Sequence, residues 1–168
     1  DSSVECRVRQ DEGYRAFLLD ALGYVALGTV ADVSPLVDEN RVFVSFGLDA
    51  LRACKSPGLR GLLEKAGCKD KAIDTWDIGF RLAPRMNAVG RMATAMACVE
   101  LLTSEDEPRI KEILQLLESS NRARKDVEDG IVADARVRMA AEVDLARDRV
   151  IVLADERWHL GVVGIVAS

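Results

Sequence analysis

Apolar positions recur along the chain mostly at helical spacing, with two short runs that read as strands. Phe17, Leu18 and Ala21 share one helical face, and Gly23 is placed to stop that helix. Residues 24–33, YVALGTVADV, form a continuous β-rich apolar run of the length of a buried strand, ending in an acid. In 41–52, Val42, Phe43 and Val44 favour strand, whereas Val42, Phe46 and Asp49-Ala50 fit a helix, the weakly preferred reading. Ser56-Pro57 is a helix start, with Ser as N-cap and Pro in the first turn; Leu59, Leu62, Leu63 and Ala66 follow, and Gly67 ends it. Thr75 is the expected cap of a further helix carrying Ile78, Phe80 and Leu82, interrupted at Pro84. Residues 92–102 read as a helix rich in small residues.

The longest periodic element starts at Glu105-Asp106-Glu107-Pro108, where acids face the positive end of a helix. Ile110, Ile113, Leu114, Leu117, Val127, Ile131 and Ala135 keep its spacing across 108–143, despite Gly130, which costs about 1 kcal/mol relative to Ala. A helix of that length is more than one compact domain needs, and it suggests a connector between two. Residues 149–154 then read as a short buried strand, and GVVGIVAS as the first turns of another helix. The expected fold class is therefore α/β, mostly helical, with one unit over 1–107, a long connecting helix over 108–145 and a new α/β unit opening at 146–168.

Composition removes several classes. With 168 residues, 49% apolar and 30% charged, the chain is globular rather than disordered. A net charge of −5 excludes a generally basic nucleic-acid coat but leaves room for a local basic groove. No apolar run approaches the roughly 18 residues of a membrane span, and the first twelve residues lack a signal peptide's apolar core. Cys6, Cys54, Cys68 and Cys98 have no CxxC spacing, so a structural zinc site is not expected, and a reducing cytoplasm is the expected setting. The chain lacks an initiator Met and stops within the apolar GIVAS, so the expectation is a piece of a longer protein.

Four segments hold candidate chemistry. Asp32 closes the apolar run 24–33, and a carboxylate at a strand end is a plausible ligand for a hard cation; an acid capping the next turn is the plainer reading. Between Ile78 and Val99 the chain carries Arg81, Arg85 and Arg91 and no acid, with Pro84, Asn87 and Gly90 among them. Arg beside exposed backbone N–H groups is a common phosphate holder, against an ordinary solvated helix–loop–helix. A second acid-free stretch, 50–63, holds Arg52, Lys55 and Arg60, so charge counting alone discriminates poorly. In 121–129, NRARKDVED, the pairs Arg122–Asp126 and Lys125–Asp129 at i,i+4 fit a solvated salt-bridged face. Trp158-His159 precede a glycine-flanked helix start where backbone N–H groups could meet an anion, although a hydrogen-bonding structural His is commoner.

Five blocks, ALGTVADVSPLVDENR (26–41), PGLRGLLEKAG (57–67), DIGFRLAPRMNAVGRM (77–92), NRARKDVE (121–128) and WHLGVVGIVAS (158–168), together resemble the RecJ family of single-strand-specific DNA exonucleases within the DHH phosphoesterase superfamily. The resemblance implies the C-terminal part of a parallel-sheet DHH domain, a long interdomain helix and the start of a DHH-associated domain. It implies an enzyme degrading single-stranded DNA 5′ to 3′ in repair and recombination, using two divalent cations, Mn2+ or Mg2+. Asp32 matches the last metal-binding acid of the DHH domain. Arg85, Asn87 and Arg91 match a block lining the nucleic-acid path, and His159 falls in the block opening the DHH-associated domain. The paired aspartates and the Asp-His-His triplet of the superfamily have no counterpart in this sequence, which implies that the chain alone is inactive. A single-strand-binding protein and a helicase are the protein partners the resemblance suggests, with no membrane. Two alternatives stay open: a DHH phosphodiesterase of short oligonucleotides or cyclic dinucleotides, and a non-catalytic relative that binds DNA or replication proteins.

Overall fold

The structure, a computed structural model, describes residues 11–92, 95–144 and 146–167, with the backbone alone for 91 and 92. Every regular element among them is helical: α1 (Glu12–Ala31), α2 (Asp38–Arg52), α3 (Pro57–Lys65), α4 (Thr75–Asp77), a π-helical turn (Ile78–Leu82), α5 (Ala83–Met92), α6 (Met96–Thr103), α7 (Glu107–Glu142) and α8 (Leu160–Val166).

The largest departure from expectation is α1. Residues 24–31 are not a strand; they are the second half of α1, which runs through Gly23. The reason lies in the packing partner. Gly23 is buried, and a Cβ there would meet the backbone of Ala50 and Leu51. A Cβ at Gly47 would meet the Leu22 carbonyl and the Ala26 side chain. Gly23 opposing Leu51 while Ala26 opposes Gly47 makes α1 and α2 antiparallel at backbone contact. Small residues at the crossing let one helix lie on another, and that tertiary gain overrides the β propensity of Val25, Thr29 and Val30. Gly23 is a packing residue rather than a stop.

The helix preferred for 41–52 is present, extended back to Asp38. α3 follows its signals: Ser56 Oγ accepts from the Leu59 N–H, Pro57 sits in the first turn, and Gly67 at φ 67° takes the left-handed turn after it. α3 lies against α6 so closely that a Cβ at Gly58 would collide with the Leu101 carbonyl. Asp74, one residue before the expected Thr75, caps α4 through reciprocal bonds with Asp77.

Pro84 does not end the helix. The chain stays helical from Thr75 to Met92 because the turn before the proline widens: the Ala83 N–H reaches the Ile78 carbonyl five residues back. Proline lacks the N–H that an α-turn would use, and its ring crowds the carbonyl four residues back; the π turn relieves both.

Leu51, Leu59, Leu62, Ile78, Leu82 and Leu101 are fully buried in one core, closed by Ile113 and Leu117 of α7. α7 has 36 residues, about 54 Å at ~1.5 Å per residue, as the periodicity requires. Its N-terminal half covers α3, α5 and α6, and its C-terminal half carries residues 151–167. The salt-bridged face expected at 121–129 is partly inward. Asn121 and Arg124 are buried, and the ion pair formed is Arg124–Glu128 rather than Arg122–Asp126 or Lys125–Asp129. Residues 149–154 form no strand among the described residues; Val150 and Val152 are exposed, and no neighbouring strand offers a ladder. This segment is held instead by side chains. Arg138 bridges Asp134 and Asp155 and lies 5.6 Å from the Trp158 ring centroid, and Trp158 Nε1 donates to Asp134 at 2.9 Å.

Candidate nucleic-acid and metal site

The C-terminus of α1 and the exposed side of α5 meet in an open concavity of about 580 Å³. It brings together Asp32 and Asn87 of the expected site residues, with Gly28, Val33, Gly90 and Cys98 around them. Gly28 and Gly90 leave open space where a Cβ would project, so a ligand can approach the helix backbones there.

Asp32 ends α1 with its N–H on the Gly28 carbonyl at 3.0 Å, and its exposed carboxylate has no partner among the described residues. This is a poor place for an unpaired anion. The carbonyls of a helix C-terminus carry partial negative charge, and the last turn of α1 has no basic residue. Val33 follows at φ 55° and is 88% exposed. The Ser34 N–H reaches the Thr29 carbonyl and the Val33 N–H the Val30 carbonyl, both at 3.1 Å. That is a Schellman ending with a β-branched residue where glycine normally stands, a cost of roughly 1–2 kcal/mol. Two locally unfavourable choices at one corner are the pattern of a site kept for binding. A cation would relieve the first of them.

Arg85 does not present a free guanidinium to this concavity. Its Nε donates to Glu118 Oε1 at 2.5 Å, one Nη to the Arg81 carbonyl at 2.6 Å and the other to the Lys65 carbonyl at 3.4 Å. It ties the π turn, α3 and α7 together. The side chain of Arg91 lies outside the described residues. His159 is exposed and caps α8: its Nδ1 accepts from the Gly161 N–H at 3.1 Å, which puts the proton of the neutral ring on Nε2. The helix start that looked open to an anion is thus capped by its own His.

Val33, Gly28 and Cys98 were not singled out from sequence. Glycine beside a terminal acid was a usable signal; Cys98 was not, since only folding brings α6 to α1. Cys98 donates its S–H to the Met86 carbonyl at 3.5 Å, and burial pushes its thiol up, so it is a neutral lining group rather than a nucleophile. Cys6 lies outside the described residues.

A two-cation centre needs several carboxylate or imidazole ligands. Among the described residues no three His, Cys, Asp or Glu side chains converge. Asp32 offers one such carboxylate, and the described residues do not hold a complete cage.

The chain is 38% identical to the single-stranded-DNA-specific exonuclease RecJ of Dickeya dadantii over 155 residues, 90% of this chain and 27% of that protein. It is 37% identical to the Bacillus subtilis RecJ over 149 residues, 89% of this chain and 19% of that protein. The chain is similar to a segment of RecJ. The crystal structure of Thermus thermophilus RecJ in complex with Mn2+ superimposes with a TM-score of 0.77 at 34% identity, covering 89% of this chain and 22% of that one. A second RecJ structure bound to manganese gives 0.74 at 34% identity, covering 89% and 37%. No protein-family model matches the chain. The chain spans about a fifth to a quarter of the length of the curated RecJ proteins it matches. Among the described residues, no helix is long and apolar enough to cross a membrane.

Proposed function

We propose that this chain is part of a RecJ-type exonuclease, hydrolysing single-stranded DNA from the 5′ end in repair and recombination, in the cytoplasm. The observation that carries this reading is the RecJ likeness in both sequence and backbone, combined with an unpaired Asp32 at the lip of the α1–α5 concavity. The domain reading follows: 1–107 as the end of a DHH domain, 108–145 as the connector and 146–168 as the opening of a DHH-associated domain.

In this reading Asp32 holds one of two divalent cations, Mn2+ or Mg2+, the ions bound in the similar structures. Such a pair supplies charge neutralisation at the phosphate and a water of lowered pKa. The remaining ligands come from outside this sequence, so the 168-residue chain alone is expected to be inactive. Asn87 donates its amide to a phosphate oxygen across the concavity, Gly28 and Gly90 admit the strand, and Arg91 supplies a charge-assisted contact from the next turn. Arg85 is a positioning residue, holding the helix that presents Asn87. His159 sets the start of α8 on the far half of α7.

The test is Asp32→Ala in the intact protein, reading Mn2+ binding by calorimetry and release of nucleotides from 5′-labelled single strands. Loss of one cation equivalent and of at least ~100-fold in rate is expected. Unchanged occupancy and rate would end the reading.

A further inference from the structure

A second concave surface, about 530 Å³, lies between α3 and the N-terminal half of α7, and shares no residue with the Asp32 concavity. Its floor is apolar, from Leu63, Ile73, Ile110 and Leu114. Its rim carries six basic side chains, Arg52, Lys55, Arg60, Lys65, Lys69 and Lys111, against the acids Glu64, Asp70 and Glu107. In a chain of net charge −5 this is a local reversal of sign. Lys69 is held by Glu64 at 3.0 Å and Arg52 approaches Asp49 at 3.6 Å, but Lys55, Arg60, Lys65 and Lys111 pair with no carboxylate among the described residues. The acid-free stretch 50–63 supplies three of these cations.

The loop that closes the cleft leads directly to an aromatic platform. Trp76 and Phe80 stack at 5.3 Å between centroids and are 53% and 68% exposed. The Arg81 guanidinium lies 5.2 Å from the Trp76 ring centroid and donates to the Gly67 carbonyl, next to the cleft residue Cys68. A solvated helix surface accounts for scattered cations. It does not account for two large rings left in water on a segment whose Asp77, Ile78 and Leu82 are buried.

Unpaired cations around a groove, beside exposed rings carrying a guanidinium, are the combination that binds single-stranded nucleic acid: phosphates track the charges and unstacked bases lie on the rings. A duplex offers no free base face, and an acidic peptide leaves the aromatic platform unused. We infer that this cleft and the Trp76–Phe80 platform form a second contact for single-stranded DNA, holding a stretch of strand away from the Asp32 concavity. This rests on the single-strand exonuclease reading above.

The test compares the intact protein with Arg60→Glu/Lys111→Glu and with Trp76→Ala, by fluorescence anisotropy on labelled oligo-dT of about 5 and about 30 nucleotides, lengths at the lower end of and well above typical single-strand site sizes. Both variants are expected to bind the longer strand about tenfold more weakly. The charge variant also flattens the dependence of log affinity on log salt by ~0.7 for each phosphate it no longer neutralises. Hydrolysis of the shorter oligonucleotide is expected to stay at the wild-type rate. Arg60→Ala/Lys111→Ala, which introduces no repulsion, must show a smaller loss of the same kind. Equal binding of the longer strand by all variants overturns the inference, and so does cleft-dependent binding of polyglutamate in place of oligo-dT. A wild-type protein that binds the long strand through the cleft but degrades nothing removes the exonuclease reading and leaves the cleft standing.

Discussion

Replacing Arg85 by Ala separates a structural arginine from a substrate-binding one. The side chain is 19% exposed and its guanidinium meets three acceptors on three different elements. The Glu118 contact is a charge-assisted bond between partly buried groups, worth about 1.5–3 kcal/mol before solvent screening. Glu118 is 34% exposed and can rehydrate once its partner is gone, which places the loss near the lower end of that range. The bond to the Arg81 carbonyl braces the π turn in front of Pro84, and its removal adds ~1 kcal/mol. The bond to Lys65, at 3.4 Å, adds little. The expected total is about 2–3 kcal/mol, or a fall in Tm of roughly 5–10 °C for a chain of this size. Binding of single-stranded DNA should keep its salt slope, because Arg85 neutralises no phosphate. The assay is a melting curve beside anisotropy titrations at several salt concentrations. Glu118→Gln should reproduce most of the destabilisation, and the double variant should cost little more than either single one. An unchanged Tm with a slope reduced by ~0.7 would refute the reasoning and put Arg85 on the DNA.

The helices with local signals were legible and those made by partners were not. Ser56-Pro57 and Gly67 bracket α3 because caps act within a few residues. The period of α7 was visible because Ile110, Ile113, Leu114, Leu117 and Ile131 are buried along one stripe of it. The run 24–31 was misread because continuous apolarity is shared by buried strands and close-packed helices. What distinguishes them here is Gly47, far along the chain, which only the α1–α2 contact makes relevant. The same limit applied to the site. Asp32 and Asn87 stood out by type and setting, and folding places them on one surface. Arg85 stood out by the same charge argument, yet its partner Glu118 lies 33 residues along the chain, and no spacing rule links the two. The basic stretch 50–63 looked ordinary as sequence because acids such as Glu64 and Asp70 follow it closely, and Lys111, on the far wall of the cleft, joins it only in space.

Three further perturbations test the corner of the molecule that carries Asp32 and the packing beneath it. Asp77 is buried; burial would raise its pKa, but hydrogen bonds donated by Lys71 and by the backbone N–H of Asp74, with Arg81 beside them, outweigh it and hold the carboxyl below the ordinary range. A depressed folded pKa stabilises above the unfolded value and is lost as pH falls through the folded one, so stability should decline below about pH 4, and Asp77→Asn should flatten that part of the acid-unfolding profile. Val33→Gly removes the left-handed strain of an exposed residue that packs on nothing, and should raise Tm by about 2–4 °C; a fall would mean that the valine is not strained. Gly90→Ala discriminates most sharply between a binding surface and a bare one. Gly90 lies within α5, and a Cβ there meets no atom within 4 Å. Folding alone therefore favours alanine, by roughly 0.5–1 kcal/mol of helix propensity. If the concavity is solvent only, the variant is more stable and otherwise unchanged. If a strand lies across α5 against the open backbone of Gly90, the added methyl intrudes on it, and exonuclease turnover and single-strand affinity fall while Tm rises. Stability and activity moving in opposite directions is an outcome that neither a folding defect nor a neutral surface change produces. A Gly90→Ala protein that melts higher and cuts at the wild-type rate would remove this face of α5 from the path of the DNA.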